Sequence, residues 1–113
     1  MLTIEPHMKV SDLMRVISEN FPYLRLEIYC QGQEAMSLWP MKNLHELSKH
    51  KNPETVHIRP SMAVNEIVEL FWQKMGLQVM IFRRIGTMWL ETSYTGSWSL
   101  EHQNNMGSSM VSV

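Results

Sequence analysis

The chain has 113 residues, 44% of them hydrophobic and 19% charged, with 10 basic against 11 acidic side chains and a formal net charge of -1. That is one domain's length with the composition of a folded protein, which excludes a disordered chain and argues against a dedicated nucleic-acid binder, since the latter carries a basic excess. The one cysteine, Cys30, can form no internal disulfide, and no apolar run approaches the roughly 20 residues of a membrane span.

The opening segment, Met1–Pro6, lacks the basic start and apolar stretch of a signal peptide, so a cytoplasmic setting is expected. Leu2-Thr3-Ile4 alternates apolar and polar residues, the period of a half-buried strand, and Pro6 ends it because proline has no amide hydrogen. A helix follows, with Ser11 as the candidate N-cap and a stripe of Val10, Leu13, Met14, Ile17 and Phe21 facing a core. Pro22 stops it, and a strand is predicted over Tyr23–Cys30. A weaker strand at Gln33–Leu38 and a short helix at Met41–Lys49 come next, and Lys51–Glu54 reads as a hinge.

The same order then recurs. Val56-His57-Ile58 is a strand ended by Pro60, and Asn65 is a candidate N-cap. Val64, Ile67, Val68, Phe71 and Met75 form the helical stripe, with Gly76 as its stop. Strands are predicted at Leu77–Arg84 and Thr87–Tyr94, a poorly formed helix near Ser99–Asn104, and a frayed polar tail from Gly107 to Val113.

Placing Leu2 over Val56, an offset of 54 positions, matches Ile4 with Ile58, Pro6 with Pro60, Met8 with Met62 and Val10 with Val64. Dropping one residue at the helix end aligns Leu24, Leu26 and Ile28 with Leu77, Val79 and Ile81. The chain therefore reads as a duplication: a single domain, 1–113, of two tandem βαβ(β) repeats, about 1–53 and 54–106. The expected fold class is α+β, a two-layer α/β sandwich in a ferredoxin-like arrangement, with two grasp-like lobes as the alternative. A crossover helix between strands permits right-handed parallel pairing within each repeat. Half the chain is too small for a comfortable core of its own, so one fused core is expected.

The stretch Ile58–Val64, followed by Ile67, Phe71, Met75-Gly76-Leu77 and Val79, resembles an uncharacterised family of small bacterial proteins built from tandem strand-helix-strand-strand modules. The first copy departs from that pattern, having Pro22-Tyr23 in place of Gly-Leu. The resemblance lies in core and turn positions. It implies the fold and a bacterial source, and it implies no catalytic or binding residue.

The candidate chemistry is thin. His45-Glu46-Leu47-Ser48-Lys49-His50 imitates a zinc-binding H-E-x-x-H, but its histidines are five positions apart, which turns them roughly 140° away from each other on a helix. His7, His57 and His102 are scattered, with His57 expected to face solvent. Cys30 has no adjacent base and reads as a small buried hydrophobe. Gly96-Ser97-Trp98-Ser99 lacks the second glycine of a nucleophile elbow, and no glycine-rich phosphate loop is present. Lys49-His50-Lys51 and Arg83-Arg84 are basic, but no aromatic RNA-recognition string accompanies them. No catalytic, cofactor-binding or metal-binding residue is assigned, and no cofactor is implied.

One difference between the copies is informative. Opposite the core, the first long strand carries Tyr23, Arg25, Glu27 and Tyr29, a face suited to water. The second carries Gln78, Met80, Phe82 and Arg84, and Trp89 joins them if Met88 and Leu90 point inward. Such an apolar face needs cover: the segment Trp98–Val113, a second copy or another protein. The leading expectation is a non-enzymatic protein–protein interaction module, a homodimer or a complex with an unidentified protein, centred on Met80, Phe82 and Trp89 with Arg84 at the rim. A small-molecule or metal-binding domain is the alternative, nucleic-acid binding ranks below it, and no membrane partner is expected.

Overall fold

A computed structural model describes the backbone of residues 1–111 and the side chains of residues 1–109. In chain order the elements are β1 (Leu2–Ile4), α1 (Val10–Asn20), β2 (Leu24–Cys30), β3 (Gln33–Glu34), α2 (Ala35–Leu38), α3 (Leu44–Leu47), β4 (Val56–Ile58), α4 (Val64–Leu70), β5 (Gln78–Ile85), β6 (Met88–Glu91) and α5 (Leu100–Val111). A π-helical turn, Phe71–Met75, continues α4, and a 3-10 turn, Ser93–Thr95, follows β6. The fold is α+β, with helices packed against sheet.

The two helical stripes are buried as their spacing requires: Val10, Leu13 and Ile17 on α1, and Val64, Ile67, Phe71 and Met75 on α4 and its π turn. They join Leu24, Leu26 and Ile28 of β2, Val79 and Ile81 of β5, and Ile4 and Ile58 in one contiguous apolar core. Helix starts are finished by distant backbone rather than by the predicted caps. Val10 N–H donates to Lys42 O at 2.9 Å and Ser11 N–H to Pro40 O at 2.9 Å; Val64 N–H donates to Trp98 O at 3.0 Å and Asn65 N–H to Gly96 O at 2.9 Å. Satisfied this way, both helices begin ahead of Ser11 and Asn65, with Lys9 and Ala63 at the caps.

Strand pairing departs from the favoured ferredoxin-like arrangement. β1 pairs with β4 in a two-stranded sheet, and the second sheet runs β3-β2-β5-β6. Among the described residues the strand pairings are all antiparallel, so neither crossover helix joins parallel neighbours. Each half's strands pair with the other half's instead. Thr3 lies opposite His57 and Glu27 opposite Met80, each residue facing its own aligned counterpart.

Three further expectations change at the ends of the halves. Gln33–Leu38 is not a strand: it pairs for two residues and then coils into α2, whose first turn is closed by the Glu34 carboxylate accepting from Ser37 N–H at 2.8 Å. The poorly formed helix near Ser99–Asn104 is instead α5, 12 residues long. It takes in 107–111 of the predicted frayed tail; residues 112–113 lie outside the described residues. Gly107 permits this packing, since a Cβ there would sit 2.7 Å from Tyr23 Cβ.

Candidate functional site

The residue order of β5 and β6 decides which surface the candidates share. Phe82 pairs with Glu91 and Arg84 with Trp89, while Arg83 pairs with Leu90 and Ile85 with Met88. Side chains alternate across a sheet, so Met80, Phe82, Arg84 and Trp89 lie on one face, opposite the core. The structure thus brings all four candidates together. Met80, Phe82 and Arg84 are half-buried and Trp89 is 38% exposed. Arg84 stays at the rim, its Nε donating to Gly86 O at 2.9 Å.

Among the described residues, the C-terminal helix packs elsewhere. α5 seats on the other side of the sheet, where Gln103 and Gly107 meet Arg83 and Leu100 joins the core. Arg83 Nη1 donates to Gln103 Oε1 at 2.7 Å, and its guanidinium stands 5.3 Å from the centre of the Trp98 ring. Arg83 is therefore a buried cation held by an amide and an indole, and the Arg83-Arg84 pair is not a surface basic cluster.

β6 extends the candidate surface beyond the predicted residues. Met88 is 72% and Leu90 45% exposed, although both lie on the core side of the sheet. Thr92 N–H donates to Ile81 O, so Leu90 and Met88 share its hydrogen-bonding phase and bond toward β5. Trp89 and Glu91 then turn their backbone groups outward, along an edge that no described strand covers. The signal was present in sequence: three consecutive large apolar residues, 88–90, cannot all face one core from a strand.

The first half presents the opposite surface. Across from Met80 and Phe82, the outer side chains of β2 form a polar chain in which Arg25 Nε lies 3.2 Å from Glu27 Oε1 and Tyr29 Oη donates to Glu27 Oε2 at 2.5 Å. Donation to a carboxylate holds the phenol proton, and the Tyr29 pKa is pushed up to about 12. On α1, the Asp12 carboxyl is held below its ordinary value, chiefly because it accepts the Lys9 backbone N–H.

Two grooves complete the surface. The larger, about 470 Å³, lies along α1 and the edge of β2, lined by Met14, Arg15, Ser18, Leu24, Arg25 and Leu26 with Glu34, Met36 and Trp89 at its ends. The smaller, about 310 Å³, is lined by Val68, Glu69, Trp72, Leu77, Gln78 and Val79. Each of those six is the aligned counterpart of one of the first six, so the grooves occupy equivalent places in the two halves. Sequence reasoning missed both, though the substitution of Trp72 for Ser18 at the 54-residue offset was visible in it.

The remaining candidates are dispersed. His45 Nδ1 lies 3.2 Å from Pro6 O, whereas His50 Nε2 lies 3.0 Å from the carbonyls of Trp72 and Gln73, at the end of α4. Ser48 Oγ donates to Met75 O, and from the predicted hinge Glu54 N–H donates to Lys74 O, so both help to finish the π turn that continues α4. His57 is exposed beside Thr3, His7 lies 3.4 Å from Glu5, and His102 stacks edge-on against Trp98. Cys30 is a free, half-buried thiol. Among the described residues no cluster of three or more His, Cys, Asp or Glu side chains is placed to hold a metal, and no helix is long and apolar enough to cross a membrane. No protein family, curated protein or solved structure matches the chain.

Proposed function

We propose that the protein is a non-enzymatic interaction module that self-associates through the second half's sheet, using Met80, Phe82, Arg84 and Trp89 together with the β6 edge. One observation carries this reading: β6 is an edge strand on which Met88, Trp89 and Leu90 are all exposed, 72%, 38% and 45% respectively. Monomeric proteins blunt such edges with charge, proline or cover, because an uncovered apolar edge is a template for another strand. β6 has only Glu91, whose carboxylate is occupied by Ser93 N–H and Oγ. An antiparallel second copy, centred on Leu90, would set Trp89 opposite Glu91 of the partner with their outward backbone groups in bonding phase.

The duplication belongs to the same reading. The matching pairs Leu44 N–H to Met8 O (2.8 Å) and Leu100 N–H to Met62 O (3.0 Å), and His45 N–H to Pro6 O (2.9 Å) and Glu101 N–H to Pro60 O (3.0 Å), support two copies of one ancestral unit. A bacterial source is proposed on the resemblance alone, and a cytoplasmic setting accords with the free Cys30 thiol.

Sedimentation across an approximately hundredfold dilution series tests the proposal. The unmodified chain should pass from dimer to monomer, while Phe82→Asp and Leu90→Lys remain monomeric with their far-UV spectra retained. Leu90 is 45% exposed, so Leu90→Lys keeps the fold and decides the matter even where Phe82→Asp does not fold. A monomer at every concentration, or dimerisation unaffected by Leu90→Lys, defeats the reading.

A further inference from the structure

The smaller groove, between α4 and the start of β5, has accessible walls over a closed floor. Leu77 and Val79 form the buried floor, while Glu69, Trp72 and Gln78 stand exposed around it. Trp72 is 46% exposed, and its indole meets no other ring or cation among the described residues. Its main chain is nevertheless fixed. Trp72 O accepts Gly76 N–H at 3.0 Å and lies 3.0 Å from His50 Nε2. The wall stands on the π turn that continues α4, and such turns are rare and frequent at functional sites.

The groove is also electronegative. Glu69 is the one formally charged side chain among its lining residues. Its Oε1 accepts from Gln73 Nε2 at 2.9 Å, and the carboxylate joins no ion pair among the described residues. Lys74, the nearest cation along the chain, has its Nζ 3.9 Å from Glu54 Oε2 instead.

The larger groove serves as a comparison within the same chain. At the aligned positions it carries Arg15 for Glu69, Ser18 for Trp72 and Arg25 for Gln78. Charge and aromatic character thus differ together, and both favour a cation in the smaller groove. An indole face attracts a cation through its quadrupole, and Trp is the best of the side chains for this. A compact, strongly hydrated ion keeps its water at so open a site. A cation that carries alkyl groups instead gains by burying them against the indole and the apolar floor. The volume, about 310 Å³, is that of a small ligand's site rather than of a large one.

We propose that this groove binds a small alkylated ammonium ion of the choline type, free in solution, with its methyl groups on Trp72 and its charge beside Glu69. Gln78 offers its amide to the ligand's hydroxyl. β6 pairs with β5 only from Phe82 to Ile85, so Gln78 and Val79 lie beyond it. The site therefore shares no lining residue with the proposed dimer surface and goes beyond that reading.

Choline chloride, titrated at constant ionic strength into the isotopically labelled full chain, tests the proposal through amide and indole N–H chemical shifts. Saturable shifts centred on Trp72, Leu77 and Gln78 are expected, with a Kd on the order of a millimolar. The uncharged carbon isostere of choline, dimethylbutanol, should bind at least about tenfold more weakly. Trp72→Ser, which copies Ser18, and Glu69→Gln, which keeps an acceptor for Gln73, should each weaken choline binding to a similar degree. Both side chains are exposed, so the two variants keep the fold. Leu90→Lys, which abolishes the proposed dimer, should leave choline binding unchanged, so the two readings fail separately. Shifts that do not saturate, equal binding of dimethylbutanol, or full binding by Trp72→Ser and Glu69→Gln would each overturn the proposal. Sedimentation of the chain with phosphatidylcholine vesicles, lost in Trp72→Ser, would overturn it too, since a lipid headgroup would then be the occupant.

Discussion

The two central strands, β2 and β5, carry different outward surfaces over one shared core. At Glu27 and Met80, which face each other across the central strand pair, one half carries a charged network with Arg25 and Tyr29 and the other an apolar strip continuing to Phe82 and Trp89. Below them the buried residues are interchangeable in kind: Leu24, Leu26 and Ile28 against Leu77, Val79 and Ile81. Buried positions of paired strands answer to one packing constraint, whereas outward positions answer only to their contact partners.

Substitutions at equivalent positions sharpen this contrast. The largest effect is expected in the core, where Phe71 aligns with Ile17 and both are buried. Phe71→Ala should cost about 3–5 kcal/mol and Ile17→Val only about 0.5–1.5 kcal/mol, measured by urea unfolding. Similar losses for Gln103→Ala and a surface control would break the account of α5. Removing the amide strands the buried Arg83 guanidinium and the two bonds to Thr95, and about 2–3 kcal/mol should be lost.

A smaller effect distinguishes the two turns that finish α1 and α4. Gly96 stands where the first half has Pro40, and a Cβ at Gly96 would meet the Asn65 side chain at 2.0 Å. Gly96→Ala should destabilise by about 1 kcal/mol, and the cost should vanish in an Asn65→Ser background, which copies Ser11 of the first half. A double-mutant cycle with no coupling would contradict that geometry. The smallest effect is one of pH. Because the folded state holds the Tyr29 proton up to about 12, against 10 for a free tyrosine, its contribution is complete below pH 10 and is lost as pH rises through about 12. In Tyr29→Phe the decline of stability over that window should be shallower.

The stripes of α1 and α4 were legible because period and burial coincide at Val10, Leu13, Ile17 and at Val64, Ile67, Phe71. The shared face of Met80, Phe82 and Trp89 was legible because alternation needs only the strand's phase. α5 was not: Gly107 and its neighbouring serines are poor helix formers, and burial of Leu100 in the core with Gln103 on Arg83 outweighs that propensity. The first-half groove was equally hidden, since it exists only because the chain leaves β2 after Glu34.

The amino-acid sequence alone set which residues face the core and where helices and strands alternate, since these depend on local period and turn chemistry. Strand partners, the backbone groups that finish each helix start, and the edges left open were decided by tertiary structure. Those features depend on where distant main-chain donors and acceptors meet, and backbone groups are the same at every position of the sequence.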